Sequence, residues 1–203
     1  IVTGCPHCFN TLKNEYPELG GNYEVIHHTQ LIQELIDSGK LRIEDGKPFK
    51  GKKITFHDPC YLGRANDVYE APRKVLETLD AELVEMKRCK TKGLCCGAGG
   101  AQMFKEAEPG NKEVNVERIE DVVEASPDIV AVGCPFCMTM MTDGVKNKEK
   151  EAIDLDVSYL TDSYITTRKN DIESVSEKKI LLDNKIKDSA LTKKDLESTK
   201  NEV

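Results

Sequence analysis

The chain has 203 residues, enough for one domain with a substantial core and some additional material, and 32% of them are charged. This share of charge, beside 38% hydrophobic residues, excludes a membrane-embedded or wholly disordered chain. A formal net charge of -7 and the lack of a long basic run argue against nucleic acid as a partner. We expect no membrane span, because the uncharged stretch Ile129 to Met141 has 13 residues and a span needs about 20.

The chain opens within an apolar strand pattern that ends in the turn Gly4-Cys5-Pro6. A proline at the first helical position predicts that a helix begins there. The same order returns at Val130 to Val132 and the turn Gly133-Cys134-Pro135, at an offset of 129 residues. We therefore predict two copies of one strand, turn and helix unit, and we expect the chain to be part of a longer protein because it starts without Met.

Strands and helices are predicted to alternate between these two copies. The boundaries of the predicted strands and helices follow from apolar periodicity and turn residues. Ser126-Pro127 marks the end of one helix. The predicted elements are a strand from Lys53 to Phe56, a helix from about Pro72, a strand from Leu83 to Met86 and a helix from Glu113 to Glu124. This alternation predicts an α/β fold with short sheets flanked by helices.

Two stretches are predicted to lack stable packing. Residues 38–52 are rich in Gly and charge and indicate a loop. Residues 166–203 carry many charges and contain no Gly, Cys or aromatic residue, so we expect a mobile or marginally helical tail.

Eight cysteines without a secretory signal favour thiolate ligands over a disulfide framework. Five of them have a distinctive order: Cys60, the vicinal pair Cys95-Cys96, and Cys134 with Cys137 in a CxxC spacing. A disulfide within a vicinal pair requires a strained ring, whereas both thiolates can bind adjacent irons of one cluster. The CxxC at a helix start lets the helix N-terminus stabilise thiolate charge.

The number of cysteines favours iron over zinc. Structural zinc takes four ligands in a tetrahedron, whereas a cluster of several irons can use a fifth thiolate. We expect Gly97, Gly99 and Gly100 to let the backbone wrap closely around this centre and to direct amide groups at its sulfurs. A zinc-binding structural or docking module remains the alternative.

Three motifs resemble the cysteine-rich CCG domain of heterodisulfide reductase and related iron–sulfur proteins. They are the stretch from Phe56 to Arg64 around Cys60, the stretch from Leu94 to Gly100 around the vicinal pair, and Gly133 to Cys137. The resemblance covers residues 1 to about 165. It implies that residues 1–50 are the C-terminal part of a truncated first repeat and that residues 51–165 form a complete second repeat.

The resemblance further implies a noncubane [4Fe–4S] cluster held by five cysteines in an oxidoreductase subunit. The expected partners are a flavoprotein or a ferredoxin-like iron–sulfur protein, and the expected acceptor is a disulfide or a quinone-linked protein. We expect a cytoplasmic location, at most peripheral to a membrane-bound redox complex. The implied ligands are Cys60, Cys95, Cys96, Cys134 and Cys137.

The remaining candidates carry weaker expectations. Cys5 and Cys8 match a first CxxC whose preceding motifs are absent, and zinc, a second cluster or free thiols are all compatible with them. Cys89 matches no ligand position and is expected to be a structural thiol. For His57, a loop histidine bonded to the backbone is favoured over one that transfers protons.

Overall fold

Two parallel sheets with helices between their strands make up the described part of the chain. The computed structural model describes residues 1–41, 49–106, 109–149 and 155–159. The strands are β1 Val2–Thr3, β2 Ile26–His27, β3 Lys53–His57, β4 Glu82–Leu83, β5 Ile129–Val132 and β6 Asp156–Tyr159. The helices are α1 Pro6–Asn10, α2 His28–Asp37, α3 Glu70–Glu77, α4 Val114–Ala125 and α5 Pro135–Glu149.

The larger sheet has the strand order β4-β3-β5-β6, and all of its pairs are parallel. β3 and β5 run side by side from the pair Ile54 and Ile129 to the pair His57 and Val132. All four residues of β5 are buried, as expected for a Val- and Ile-rich strand that is covered on both faces. The predicted α/β class is confirmed.

The main core lies between this sheet and the pair of helices α4 and α5. Ile119 and Val122 from α4 meet Met141 and Val145 from α5, and all four are almost fully buried. Cys96, Cys134 and Cys137 belong to the same core. The candidate sulfur ligands are therefore held by well-packed surroundings.

Most of the predicted element boundaries differ from the observed ones by one to three residues. α4 begins at Val114 and ends at Ala125, and the φ of 51° at the next residue, Ser126, lies in the left-handed region that stops a helix. The predicted strand from Leu83 to Met86 is shorter, since β4 pairs with β3 over two residues only. Residues 42–48 of the predicted loop and the whole predicted tail lie outside the described residues.

A second, two-stranded sheet is formed by β1 and β2 in parallel, with Thr3 paired to His27. α1 lies between these strands in the chain and starts at Pro6, just as α5 lies between β5 and β6 and starts at Pro135. The internal repeat itself stays a prediction. Across the described ranges, no helix is both long and apolar enough to cross a bilayer.

The close approach of α4 and α5 at Gly144 makes the packing testable. A Cβ at this position would lie 2.8 Å from Cγ1 of Ile119 and 3.0 Å from the carbonyl oxygen of Asn115. We expect Gly144→Ala to lower the free energy of unfolding by about 1–3 kcal/mol through overpacking, measured by urea denaturation.

Gly99→Ala is the matched control, because nothing lies within 4 Å of a Cβ built there and its φ is not positive. It should leave the unfolding midpoint within error of the parent chain. Equal stability of the two variants would contradict the tight packing of α4 on α5.

Candidate metal centre

The larger sheet delivers two of the candidate cysteines to one edge. Cys60 follows the end of β3 by three residues, and Cys134 follows the end of β5 by two. β3 and β5 are neighbouring parallel strands, so their carboxyl ends meet at the same edge. Cys137 lies in the first turn of α5, which begins directly after Cys134.

Buried polar contacts bring the vicinal pair to this edge. The carboxylate of Asp58 accepts bonds of 2.7 Å and 2.9 Å from the guanidinium of Arg73 and one of 2.7 Å from the amide of Lys90. Nη2 of Arg64 donates to the carbonyl of Gly93 at 2.9 Å. Since Lys90 and Gly93 precede Cys95 closely in the chain, these bonds tie the Cys60 loop to the Cys95-Cys96 loop.

Electrostatic contacts between sulfurs connect all five predicted ligands. The thiols of Cys60 and Cys96 donate to the sulfur of Cys95. The thiol of Cys137 bonds to the sulfurs of both Cys96 and Cys134. The structure thus brings together the whole set as one string: Cys60, Cys95, Cys96, Cys137 and Cys134.

Two members of the string are strong acceptors of hydrogen bonds. Bonds from the Cys60 and Cys96 thiols, together with the Gly97 amide, hold the pKa of Cys95 far below its ordinary value. The Cys137 thiol lowers the pKa of Cys134 to about 6, aided by amides at the start of α5. These two sulfurs are therefore suited to carry negative charge and to bind a cation.

The other members of the string hold their protons more firmly. A bond to Cys95 and burial raise the pKa of Cys60. At Cys96, a bond from Cys137 lowers the pKa, but the bond to Cys95 and burial outweigh it and raise the value to about 11. Metal binding at all five positions would consequently release protons from these thiols.

Gly97 shapes the turn after the vicinal pair. Its φ of 92° lies in the left-handed region, and a Cβ would meet Cβ of Val114 at 3.2 Å. Its amide donates to Sγ of Cys95 at 3.4 Å. The amide is therefore directed at a candidate ligand sulfur.

His57 contributes to the site in a way that the sequence did not reveal. The prediction of a loop histidine bonded to the backbone is wrong, because His57 ends β3, is 1% exposed and accepts a bond of 3.1 Å from Nε of Arg118. A ring nitrogen of His57 and the sulfurs of Cys96 and Cys137 all lie within 4.8 Å of one another. Burial, followed by the charge of Arg118, lowers its pKa to about 3.

His7, from the first CxxC segment, also reaches the string of sulfurs. Its Nδ1 lies 3.7 Å from Sγ of Cys134, and its ring contacts those of Tyr61 and Phe136 at centroid distances of 4.5 Å and 4.8 Å. Sequence reasoning missed this contact, which joins residues 127 positions apart.

The other cysteines stand apart from the string. Cys5 is half-buried at the start of α1 and bonds to the exposed Cys8, and burial raises the pKa of Cys5. Within the described ranges, no third metal-binding side chain lies close enough to complete a compact site with them. Cys89 is half-buried beside Glu85.

The sulfur arrangement fits an extended iron centre better than a single zinc ion. In a tetrahedral zinc site the four sulfurs lie about 3.8 Å apart. Among the described residues, the group of potential ligand atoms that all lie within 4.8 Å of one another consists of His57, Cys96 and Cys137. The five sulfurs instead follow one another along a string, as ligands of several irons can.

A family model matches the part of the chain that carries these cysteines. The model for the cysteine-rich domain called CCG matches residues 54–142, which include all five cysteines of the string. Residues 54–142 therefore belong to the cysteine-rich CCG family. The resemblance seen in the three sequence motifs is confirmed.

Curated relatives extend the similarity beyond that domain. The chain is 49% identical over 152 residues to the "Probable iron-sulfur-binding oxidoreductase FadF" of Bacillus subtilis (strain 168), covering 74% of this chain and 21% of that protein. It is 43% identical over 157 residues to the "EtfAB:quinone oxidoreductase" of Syntrophomonas wolfei subsp. wolfei, with coverages of 74% and 22%. The chain thus spans about a fifth of the length of these relatives.

A third relative is named for the reduction of a disulfide. It is one subunit of the dihydromethanophenazine:CoB–CoM heterodisulfide reductase of Methanosarcina barkeri. The chain is 39% identical to it over 152 residues, covering 71% of this chain and 35% of that protein. The relatives' names thus share iron–sulfur or redox functions.

The lowered pKa of Cys134 gives a direct test of the site's electrostatics. In the reduced, metal-free protein, ultraviolet thiolate absorbance should rise as the pH increases through about 6, because this thiol loses its proton there. Cys134→Ser should remove this step, whereas Cys89→Ser should retain it, since burial raises the pKa of Cys89. A Cys134→Ser variant that keeps the step would contradict the assignment.

Proposed function

We propose that this chain is the iron–sulfur-binding part of a cytoplasmic oxidoreductase of the heterodisulfide reductase type. One noncubane [4Fe–4S] cluster is held by Cys60, Cys95, Cys96, Cys134 and Cys137. The observation that carries the proposal is the unbroken string of sulfur contacts among these five residues. The names of the iron–sulfur relatives support the same conclusion.

The cluster supplies reversible electron transfer, and the chain's own residues prepare its binding site. Cys95 and Cys134 offer sulfurs that already favour the thiolate form. The amide of Gly97 and the N-terminus of α5 stabilise negative charge next to them. Burial of Cys96, Cys134 and Cys137 keeps water away from the centre.

A cavity beside the vicinal pair offers a position for the electron acceptor. It has a volume of about 560 Å³ and is lined by Gly97, Met103, Asn115, Met140 and Lys146, among others. An acceptor seated there would lie next to the turn that carries Cys96. Since one relative is named for a heterodisulfide and another for a quinone, we propose a disulfide or a quinone-linked protein as the acceptor.

The electron donor is proposed to be a separate redox protein or domain, either a flavoprotein or a ferredoxin-like iron–sulfur protein. Residues 51–165 are proposed to form the complete cluster-binding repeat, with residues 1–50 as the end of a preceding one. The contact between His7 and Cys134 supports a functional link between these two parts. Cys5 and Cys8 are proposed to bind metal, such as zinc, when the remainder of their repeat is present.

Substitution of the buried vicinal cysteine tests the proposed ligand set. Cys96→Ala removes the sulfur that contacts both Cys95 and Cys137, so the variant should lose most of its iron and its visible absorbance. Anaerobically purified or reconstituted protein would be assayed for iron, acid-labile sulfide and zinc, and for its visible spectrum.

Cys89→Ala is the control for this substitution, because Cys89 bonds to Glu85 and lies outside the string of sulfurs. It should retain iron, sulfide and colour. Parent protein that is colourless and contains zinc would replace the electron-transfer proposal with a zinc-stabilised docking module. Unchanged iron and spectrum in Cys96→Ala would remove Cys96 from the ligand set.

A further inference from the structure

Arg118 is a fully buried cation directly behind the candidate metal centre. Its side chain is 0% exposed, in the middle of α4. Nη1 donates to the carbonyl of Arg88 at 2.6 Å and to Asp121 at 3.2 Å. Nη2 has no hydrogen-bond partner among the described residues. Burial of an incompletely bonded guanidinium is costly, which indicates a role beyond packing.

The Nε donor of Arg118 determines which nitrogen of His57 carries a proton. Nε of Arg118 lies 3.1 Å from Nδ1 of His57. A guanidinium can only donate, so Nδ1 must be the acceptor and must be unprotonated. A neutral imidazole then carries its single proton on Nε2.

This tautomer leaves Nε2 of His57 able to donate a hydrogen bond and unable to bind a metal. A ring nitrogen of His57 lies within 4.8 Å of the sulfurs of Cys96 and Cys137. Since Nδ1 is already bonded to Arg118, the proton on Nε2 is the one free for a further bond. A protonated Nε2 has no lone pair to offer to a metal, whereas its N–H can bond to a thiolate.

We propose that Arg118 is a positioning residue that fixes His57 as a hydrogen-bond donor to the Cys96 and Cys137 sulfurs, and that this pair raises the reduction potential of the bound cluster. The inference rests on the proposed function, because it assumes that these sulfurs hold a redox-active centre. It adds two residues, Arg118 and His57, that do not belong to the predicted ligand set.

The direction of the effect follows from charge. Reduction adds negative charge to a cluster and its sulfur ligands, so a donor to sulfur stabilises the reduced state more than the oxidised state. Loss of the donor should therefore shift the potential to lower values.

Two substitutions at His57 separate its donor role from its bulk. His57→Leu fills a similar space with an apolar side chain that has no N–H. This variant should keep its iron, but its midpoint potential, measured by EPR in a redox titration, should fall. His57→Gln can accept from Arg118 through its amide oxygen and donate to sulfur through its amide nitrogen. It should retain most of the parent potential.

Arg118→Met tests the positioning step by an independent signal. In the parent protein, proton ENDOR of the paramagnetic cluster should detect an exchangeable proton that disappears in deuterium oxide and in His57→Leu. Arg118→Met should weaken this signal and lower the potential. Arg88→Met is the matched control, since Arg88 bonds to the same Asp121 through its side chain, and it should leave both unchanged.

Three outcomes would overturn the inference. They are an unchanged potential in His57→Leu, an equal fall in His57→Leu and His57→Gln, and loss of iron from His57→Leu, which would make His57 a ligand. Failure of the proposed function is distinguishable from all three, because the parent protein would then contain no iron and give no cluster signal before any substitution is made.

Discussion

The parallel pairing of β3 with β5 is the constraint on which the candidate metal centre depends. Its register places His57 beside Val132, so the chain leaves both strands at the same edge and at the same level. Cys60 follows from one strand and Cys134 from the other within a few residues. A shift of this register would separate the two cysteines and would remove His57 from the sulfurs. The short, buried, β-branched sequence of β5 keeps the pairing fixed.

The chain holds its sulfurs close together by surrounding them with fixed polar groups. On one side, Asp58 and Arg73 tie the Cys60 loop to the segment before the vicinal pair. On the other side, His57 lies near Cys96 and Cys137 and accepts a bond from Arg118. Buried charges of this kind are expensive unless they are bonded, and these bond to groups that position a cysteine. Stability and ligand geometry thus depend on the same contacts.

The sequence predicted the parts of this arrangement that are encoded locally. A strand pattern before Cys60, a Gly-Cys-Pro turn at Cys134 and the left-handed turn at Gly97 each leave a signature within a few residues. The contact between His57 and Arg118 leaves none. Arg118 lies on an amphipathic helix where a charged residue is ordinarily solvated, and its burial arises only when α4 packs against the sheet. The contact of His7 with Cys134 likewise depends on tertiary packing.

The central claim is that five cysteines surround one multinuclear iron centre. A crystal structure of the anaerobically purified protein, with anomalous diffraction at the iron edge, tests it most directly. The account predicts several iron atoms between the ends of β3 and β5, with Cys95 and Cys96 both bonded to iron and Cys60, Cys134 and Cys137 completing the ligands. A single metal ion with four ligands, or no metal within reach of the vicinal pair, would contradict it.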